Sequence, residues 1–149
     1  MKTKVEIPDY VFRSTTRNFS GRPNQEYTCT TKNPIKAVLF ALVCASGYSA
    51  EAVVYIAQKE RLKHLKPVIN WFNELEEELA WPLTPTEFIS LTEGYINARE
   101  LARMLNNKGK NTPSSVTLGS LSQVLEEAPK ISKSEIKGLV KEILNSIVK

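Results

Sequence analysis

Three helix starts in the second half of this chain share one arrangement of residues. In each of them an apolar residue precedes a capping side chain, a glutamate follows the cap three residues later, and another apolar residue follows the glutamate. The cap side chain accepts a hydrogen bond from a backbone N–H of the first helical turn, and the glutamate carboxylate accepts one from the cap's own N–H. The pattern therefore predicts short, sharply delimited helices. The three units are Leu83–Phe88, Ile96–Leu101 and Ile131–Ile136.

Other apolar patterns extend this helical prediction. Lys66 and Pro67 begin a segment in which apolar residues repeat at helical spacing up to Trp81, opposite a run of glutamates that indicates a solvated helix face. Thr117–Glu127 predicts another helix, and the helix after Ser132 carries a continuous apolar stripe. We expect this stripe to pack in the core, and it would also suit dimerisation or a partner. The first pattern comprises the apolar residues Val68, Trp71, Phe72, Leu75 and Leu79 and the glutamates Glu74, Glu76, Glu77 and Glu78.

The first half of the chain lacks the capping units and predicts β-structure. Asn33, followed by Pro34, is expected to cap a single helix that ends near Gly47. Upstream of this helix, three short segments are rich in β-branched and aromatic residues, which favours strands. These segments are Lys4–Ile7, Tyr10–Arg13 and Tyr27–Thr31.

Residues 52–56 fit either a strand or a helix capped by Ser49, because periodicity cannot distinguish the two in so short a run. We favour the strand, since the strands upstream need partners to be stable. The predicted fold class is α+β, with a small N-terminal sheet and a packed helix followed by a cluster of short α-helices. We expect a single domain over residues 1–149, in which 1–62 form the sheet-containing half and 63–149 the helical half.

Charge and composition narrow the classes of function. The net charge is +4, with basic ends and an acidic middle, so an electrostatic surface for nucleic acid is possible but not concentrated. Cys29 and Cys44 are expected to be reduced and buried, and with one histidine (His64) they are too few for a typical zinc site. The longest apolar run, Ala37–Ala45, is far below the roughly 20 residues that cross a bilayer. We therefore expect a cytoplasmic protein with no metal and no membrane partner.

One stretch of the first half resembles a known superfamily. Phe12 and Arg13 form an aromatic–arginine pair on a predicted strand, and Thr28-Cys29-Thr30 lies on the next strand, before a helix and a further strand. This order resembles the arginine-containing branch of the ADP-ribosyltransferase superfamily, over residues 10–60. That branch typically has a threonine where Cys29 stands here.

The resemblance implies binding of NAD. Arg13 would hold the dinucleotide, Thr28 or Thr30 would support its nicotinamide end, and Tyr27 would lie beside them in the cofactor site. The protein would then be an effector or toxin that transfers ADP-ribose to a macromolecule, most simply a protein, or a scaffold that retains only the fold. Since no strand is predicted to carry the family's catalytic glutamate, no catalytic residue is assigned.

Two other functions remain open. Residues 94–127 resemble a helix-turn-helix in which Ser120, Ser122 and Gln123 would face base edges and Lys108 and Lys110 would lie near phosphates. The long connection after Asn106 and the absence of Arg and Lys from the second helix weigh against this. The chain would otherwise be a non-enzymatic inhibitor or regulator that binds a protein through its C-terminal helices.

Overall fold

Six strands from both halves of the chain form one sheet. The structure, a computed structural model, describes residues 7–17, 26–46, 51–69, 77–113 and 115–147. The strands are β1 Tyr10–Thr16, β2 Thr28–Thr31, β3 Ala52–Gln58, β4 Val68–Ile69, β5 Glu78–Trp81 and β6 Gly94–Asn97. They lie in the order β4-β5-β2-β1-β3-β6, and each neighbouring pair is antiparallel. The predicted strand Lys4–Ile7 falls almost wholly outside the described residues.

The helices complete an α+β fold, which confirms the predicted class. The longest two, α1 and α6, begin after Asn33 and Ser132, where the sequence predicts helix starts. The helices are α1 Pro34–Ser46, α2 Lys59–Leu62, α3 Pro85–Ser90, α4 Ala98–Asn107, α5 Leu121–Glu126 and α6 Lys133–Ser146, with a 3-10 turn at Leu118–Ser120 before α5.

The two faces of the sheet pack into two apolar clusters. Successive residues of a strand point to opposite faces. Phe12 therefore joins a large core shared with α1, α4, α5 and α6, whereas Val11 joins a smaller cluster around Trp81 and Phe88. The apolar stripe of α6 packs in the larger core, where three of its residues are fully buried. These residues are Leu139, Val140 and Ile143.

All three predicted caps are present. The side chains of Thr84 and Ser132 accept hydrogen bonds from the N–H groups of Glu87 and Glu135 and complete full capping boxes. Asn97 accepts from the N–H groups of the two residues at positions 99 and 100. The Ser132 N–H donates to the Glu135 carboxylate, and together with a hydrogen bond from Lys110 it lowers the pKa of Glu135 to about 2.

The ambiguous segment at residues 52–56 is a strand, as predicted. It forms most of β3 and pairs with β1 along the whole length of both, with Arg13 opposite Tyr55 and Val11 opposite Ala57. Strands of seven residues on each side give this pair the longest ladder in the sheet. The central strand β1 is therefore held firmly on its β3 side.

The helix predicted from Lys66 to Trp81 is wrong. Val68 and Ile69 pair with Ala80 and Leu79 as β4 and β5, and β5 pairs in turn with β2. Pairing of β-branched and large apolar residues at the sheet edge outweighs the helical spacing of the same residues. Residues 70–76, with Trp71 and Phe72, lie outside the described part. The second half is therefore not purely helical, since β4, β5 and β6 all come from it.

Within the described residues, no helix combines the length and apolar character that a membrane span requires.

Gly94 occupies a position that only glycine fits. Its φ of +129° lies in a region that residues with side chains rarely adopt, and a Cβ there would lie 2.8 Å from Cγ2 of Ile147. We expect Gly94→Ala to lower the free energy of unfolding by about 1–3 kcal/mol, measured by urea titration. Gly119→Ala is the control, because an added Cβ meets no described atom within 4 Å and φ is ordinary. Equal stability of the Gly94→Ala and wild-type proteins would contradict this account.

Candidate functional site

The sheet opens between β1 and β2. The two strands pair at one position, Phe12 opposite Thr31, whereas β1 and β3 pair at seven. In this register Ser14 would be the partner of Cys29, but the two strands do not pair there. The result is an opening in the middle of the sheet, with strand backbone on both sides.

Arg13 extends into this opening. Its Nη1 donates a hydrogen bond to the carbonyl oxygen of Cys29 at 3.1 Å, across the gap between the strands. Burial lowers the pKa of Arg13, while Cys29, Cys44 and the carboxylate of Glu78 act in the opposite direction. Because an arginine in a protein keeps its proton, the opening holds a fixed and poorly hydrated positive charge. Such a charge attracts a phosphate or a carboxylate.

A carboxylate faces the same opening from β5. Glu78 is the first residue of β5 and lies opposite Thr31, which lies opposite Phe12 on β1. Cross-strand partners share a face of the sheet, so Glu78 projects on the face that α1 covers. Its charge is close enough to influence the pKa of Arg13. The sheet thus places the carboxylate of Glu78 and the guanidinium of Arg13 at one site, although their strands are far apart in sequence.

Glu77, which directly precedes Glu78, has an unusual backbone conformation. It has a φ of +51°, the one left-handed non-glycine conformation among the described residues. Its carboxylate accepts a hydrogen bond from Nδ2 of Asn33 at 2.8 Å and lies 3.3 Å from Nζ of Lys36. A non-glycine residue in this conformation costs of order 1–3 kcal/mol and persists only when its surroundings hold it. The first turn of α1 supplies that hold, directly beside Glu78.

These residues surround a cavity of about 180 Å³. It is smaller than the 300–1,000 Å³ of typical sites for whole drug-sized ligands. Its size suits one ring and the group attached to it. The cavity is lined by Phe12, Arg13, Ser14, Cys29, Thr30, Thr31, Phe40, Cys44 and Glu78.

The structure brings two of the four predicted cofactor-binding residues together. Arg13 and Thr30 both line the cavity, but the Thr30 hydroxyl donates to the Leu79 carbonyl and accepts from Nε1 of Trp81. Thr28 is fully buried, and its hydroxyl donates to the Leu83 carbonyl at 2.9 Å. Tyr27 is 50% exposed and is not among the residues that line the cavity. Of the four residues, Arg13 is the one that brings a charged group to the cavity.

Sequence reasoning missed Glu78 because it assigned the glutamate run to a solvated helix face. That interpretation is wrong for Glu77 and Glu78, while Glu74 and Glu76 lie outside the described residues. A usable signal was the run Leu79-Ala80-Trp81 before Pro82, which also fits a buried strand.

Cys29 and Cys44 form no disulfide bond, but the prediction that both are buried is wrong. Cys29 is half-buried on β2, and Cys44 is exposed near the end of α1. Both line the cavity beside Arg13. Cys44 follows Leu42 and Val43, the last described residues of α1 that pack in the core.

The region proposed as a helix-turn-helix is arranged differently from a compact two-helix unit. Gly94–Asn97 forms the edge strand β6, and the second helix, α5, has six residues. Lys108 and Lys110, the expected phosphate contacts, lie 2.6 and 3.0 Å from the carboxylates of Glu142 and Glu135. No described contact favours this alternative over the cavity.

Comparison with protein-family models, with curated proteins and with solved structures gives no match to this chain. In the part of the chain that the structure describes, no group of three or more His, Cys, Asp or Glu side chains is placed to hold a metal ion. The candidate site is therefore inferred from the geometry of the described residues.

Cys44 reports on the charge of Arg13. Cys44 is an exposed residue, but it lines the cavity, and partial burial there raises the pKa of its thiol while Arg13 acts to lower it. In a Cys29→Ser protein we expect alkylation of Cys44 by iodoacetamide to reach half its maximal rate at a pH above that of a free cysteine. Arg13→Gln should move this midpoint higher still, because the thiolate loses a nearby positive charge. Mass spectrometry measures the rates, and Arg99→Gln is the control. An unchanged or lower midpoint in Arg13→Gln would contradict the arrangement.

Proposed function

We propose that this protein is an ADP-ribosyltransferase-like NAD-binding protein whose cavity takes the nicotinamide end of the dinucleotide. The observation that carries the proposal is that Arg13 from β1 and Glu78 from β5 line one cavity at the opening of the sheet. Glu78 is a strand-borne glutamate of the kind that the resemblance requires. The arginine pair, the threonine strand, the helix and the following strand also occur in the order that the resemblance implies.

The charges of the site suit the two halves of such a ligand. The guanidinium of Arg13 would bind the pyrophosphate through charge-assisted hydrogen bonds, for which its planar group is suited. The cavity, with Phe40 on one wall, has room for the nicotinamide ring.

Glu78 would act on the bond between nicotinamide and ribose. When this bond breaks, the electron pair leaves with nicotinamide and positive charge develops on the ribose ring. A carboxylate in a poorly hydrated site stabilises such a charge. An acceptor nucleophile then bonds to C1′ of the ribose and releases its proton. We propose a protein as the acceptor, in the cytoplasm, where free thiols such as those of Cys29 and Cys44 persist.

The first test is binding of NAD to the Arg13→Gln variant. This change keeps an N–H donor for the Cys29 carbonyl but removes the positive charge. By isothermal titration calorimetry we expect saturable binding to the wild-type protein and an affinity about ten- to hundred-fold lower in the variant, the effect of one charge-assisted contact. Arg99→Gln, an exposed arginine on α4, is the matched control. Equal affinities in Arg13→Gln and wild type would overturn the proposal.

The second test separates catalysis from binding. We expect Glu78→Gln to bind NAD nearly as well as wild type but to release nicotinamide at least about 100-fold more slowly, because the charge is lost and the shape is kept. Chromatography of nicotinamide and ADP-ribose measures the rate, and Glu126→Gln on α5 is the control. Binding without turnover in the wild-type protein would support the scaffold form of the proposal, and equal turnover in wild type and Glu78→Gln would exclude a catalytic role for Glu78.

A further inference from the structure

A second cavity lies at the end of the sheet where β1 begins. It has a volume of about 90 Å³ and shares no lining residue with the cavity of Arg13. Three lysines line it, namely Lys32 directly after β2, Lys59 at the start of α2 and Lys133 at the start of α6. We call it the lysine cavity, because positive side chains from three separate elements meet around one small space. Its other lining residues are Ile7, Pro8, Asp9, Tyr10 and Ile136.

Backbone hydrogen bonds anchor the elements that carry these lysines. The N–H of Lys59 donates to the carbonyl of Asp9 at 2.9 Å, which ties the start of α2 to the start of β1. The N–H of Lys32 donates to the carbonyl of Glu77 at 3.3 Å, across to the strand that precedes it in the sheet order. Lys133 is the first residue of the long helix α6. Lys59 is half-buried, and the other two lysines are exposed.

The charges around the lysine cavity favour an anion with two negative charges. A lysine ammonium is a compact cation with three hydrogen-bond donors, and it binds phosphate as a point charge. Among the described residues that line the cavity, Asp9 is the one carboxylate, so three positive charges and one negative charge leave an excess of two. Lys32 also lies 4.0 Å from the carboxylate of Glu77, which does not line the cavity. Like charges around one space repel each other, and a bound dianion would relieve that repulsion.

The size and the walls of the cavity limit what the anion can be. A water molecule takes about 30 Å³ in the liquid, so the space corresponds to about three waters. That volume holds one phosphate group but not a nucleotide with its base and sugar. Ile7, Pro8 and Ile136 form an apolar part of the wall. Attraction between opposite charges is stronger beside such a wall than in bulk water.

We propose that the lysine cavity binds a phosphate group with two negative charges, either as inorganic phosphate or as the end of a small phosphate monoester. Lys59 donates to the phosphate oxygens from the half-buried side, and Lys32 and Lys133 donate from the exposed side, through charge-assisted hydrogen bonds. This site goes beyond the proposed function and does not depend on it. The two cavities are separate, and the pyrophosphate of NAD contains no monoester.

The experiment titrates isotope-labelled protein with inorganic phosphate, glycerol phosphate or sulfate, with sodium chloride holding the ionic strength constant. NMR follows the backbone amides. We expect saturable shifts with a Kd of order 1 mM for each of the three anions, because all are tetrahedral groups with two negative charges. The shifts should be largest at Asp9, Tyr10, Lys32 and Lys59 and small at Arg13.

Three variants test the contribution of individual charges. Lys59→Gln should weaken phosphate binding about ten-fold or more, the effect of one charge-assisted contact. Asp9→Asn should strengthen binding about three- to ten-fold, because it removes a carboxylate that repels the anion. Lys141→Gln is the control for net charge, since Lys141 is exposed on α6 and does not line the cavity. Its affinity should equal that of wild type, and urea unfolding checks the fold of each variant.

The possible results separate a built site from general charge attraction. Shifts without saturation, or shifts concentrated around Arg13, would overturn the inference. Equal losses of affinity in Lys59→Gln and Lys141→Gln would also overturn it, since net charge alone would then explain the binding. Glycerol phosphate that binds as tightly as inorganic phosphate supports a monoester as the ligand, and selective binding of inorganic phosphate supports the free ion. A wild-type protein that binds phosphate but not NAD would overturn the proposed function and leave this inference standing.

Discussion

The buried guanidinium of Arg13 is the constraint on which the rest of the site depends. A cation removed from water is destabilising unless other groups compensate it. The opening between β1 and β2 supplies that compensation. There the Cys29 carbonyl accepts a hydrogen bond from Arg13, at a position where β1 and β2 do not pair. The carboxylate of Glu78 contributes a favourable field from the other side. The interrupted ladder and the buried cation are therefore two aspects of one arrangement.

Helix α1 sets the positions of both charges. The Ser14 hydroxyl donates to the carbonyl of Ala37, which fastens β1 to the middle of the helix next to Arg13. At its start, Asn33 and Lys36 bind the carboxylate of Glu77 and hold the left-handed turn that precedes Glu78. A shift of α1 would therefore move the cation and the carboxylate together. Such support from packed elements is what keeps a site within the small tolerances that chemistry needs.

The predictable parts of this protein are those fixed by local chemistry. The caps at Thr84, Asn97 and Ser132 depend on residues three positions apart, so the sequence reveals them directly. The strand at residues 52–56 was favoured over a helix because the upstream strands need a partner, and the structure extends it to residue 58. The strands β4 and β5 were not, because their apolar spacing also fits a helix and only pairing with β2 decides between them.

The same limit explains why half of the site was missed. Arg13 could be singled out from sequence, since the pattern of an aromatic residue, an arginine and a threonine-rich strand is local, although Cys29 departs from it. The role of Glu78 depends on a pairing between residues 31 and 78, which no local pattern encodes. From the sequence, the hydroxyls of Thr28 and Thr30 could be expected to bind a ligand. In the fold they donate hydrogen bonds to carbonyls of β5 and of the loop that follows it. Availability of a polar side chain is decided by its neighbours in space.

The helices of the second half reach the site through α1. Leu101, Leu105 and Leu139 pack in the same core as the apolar face of α1. Two basic side chains of this half, Lys108 and Lys110, tie the end of α4 to the carboxylates of α6. Because Asn33 and Lys36 at the start of α1 contact the Glu77 carboxylate, the helices that share the core of α1 also support the turn before Glu78. The capping units thus delimit helices of the scaffold, while the two charged side chains that line the cavity, Arg13 and Glu78, come from β1 and β5.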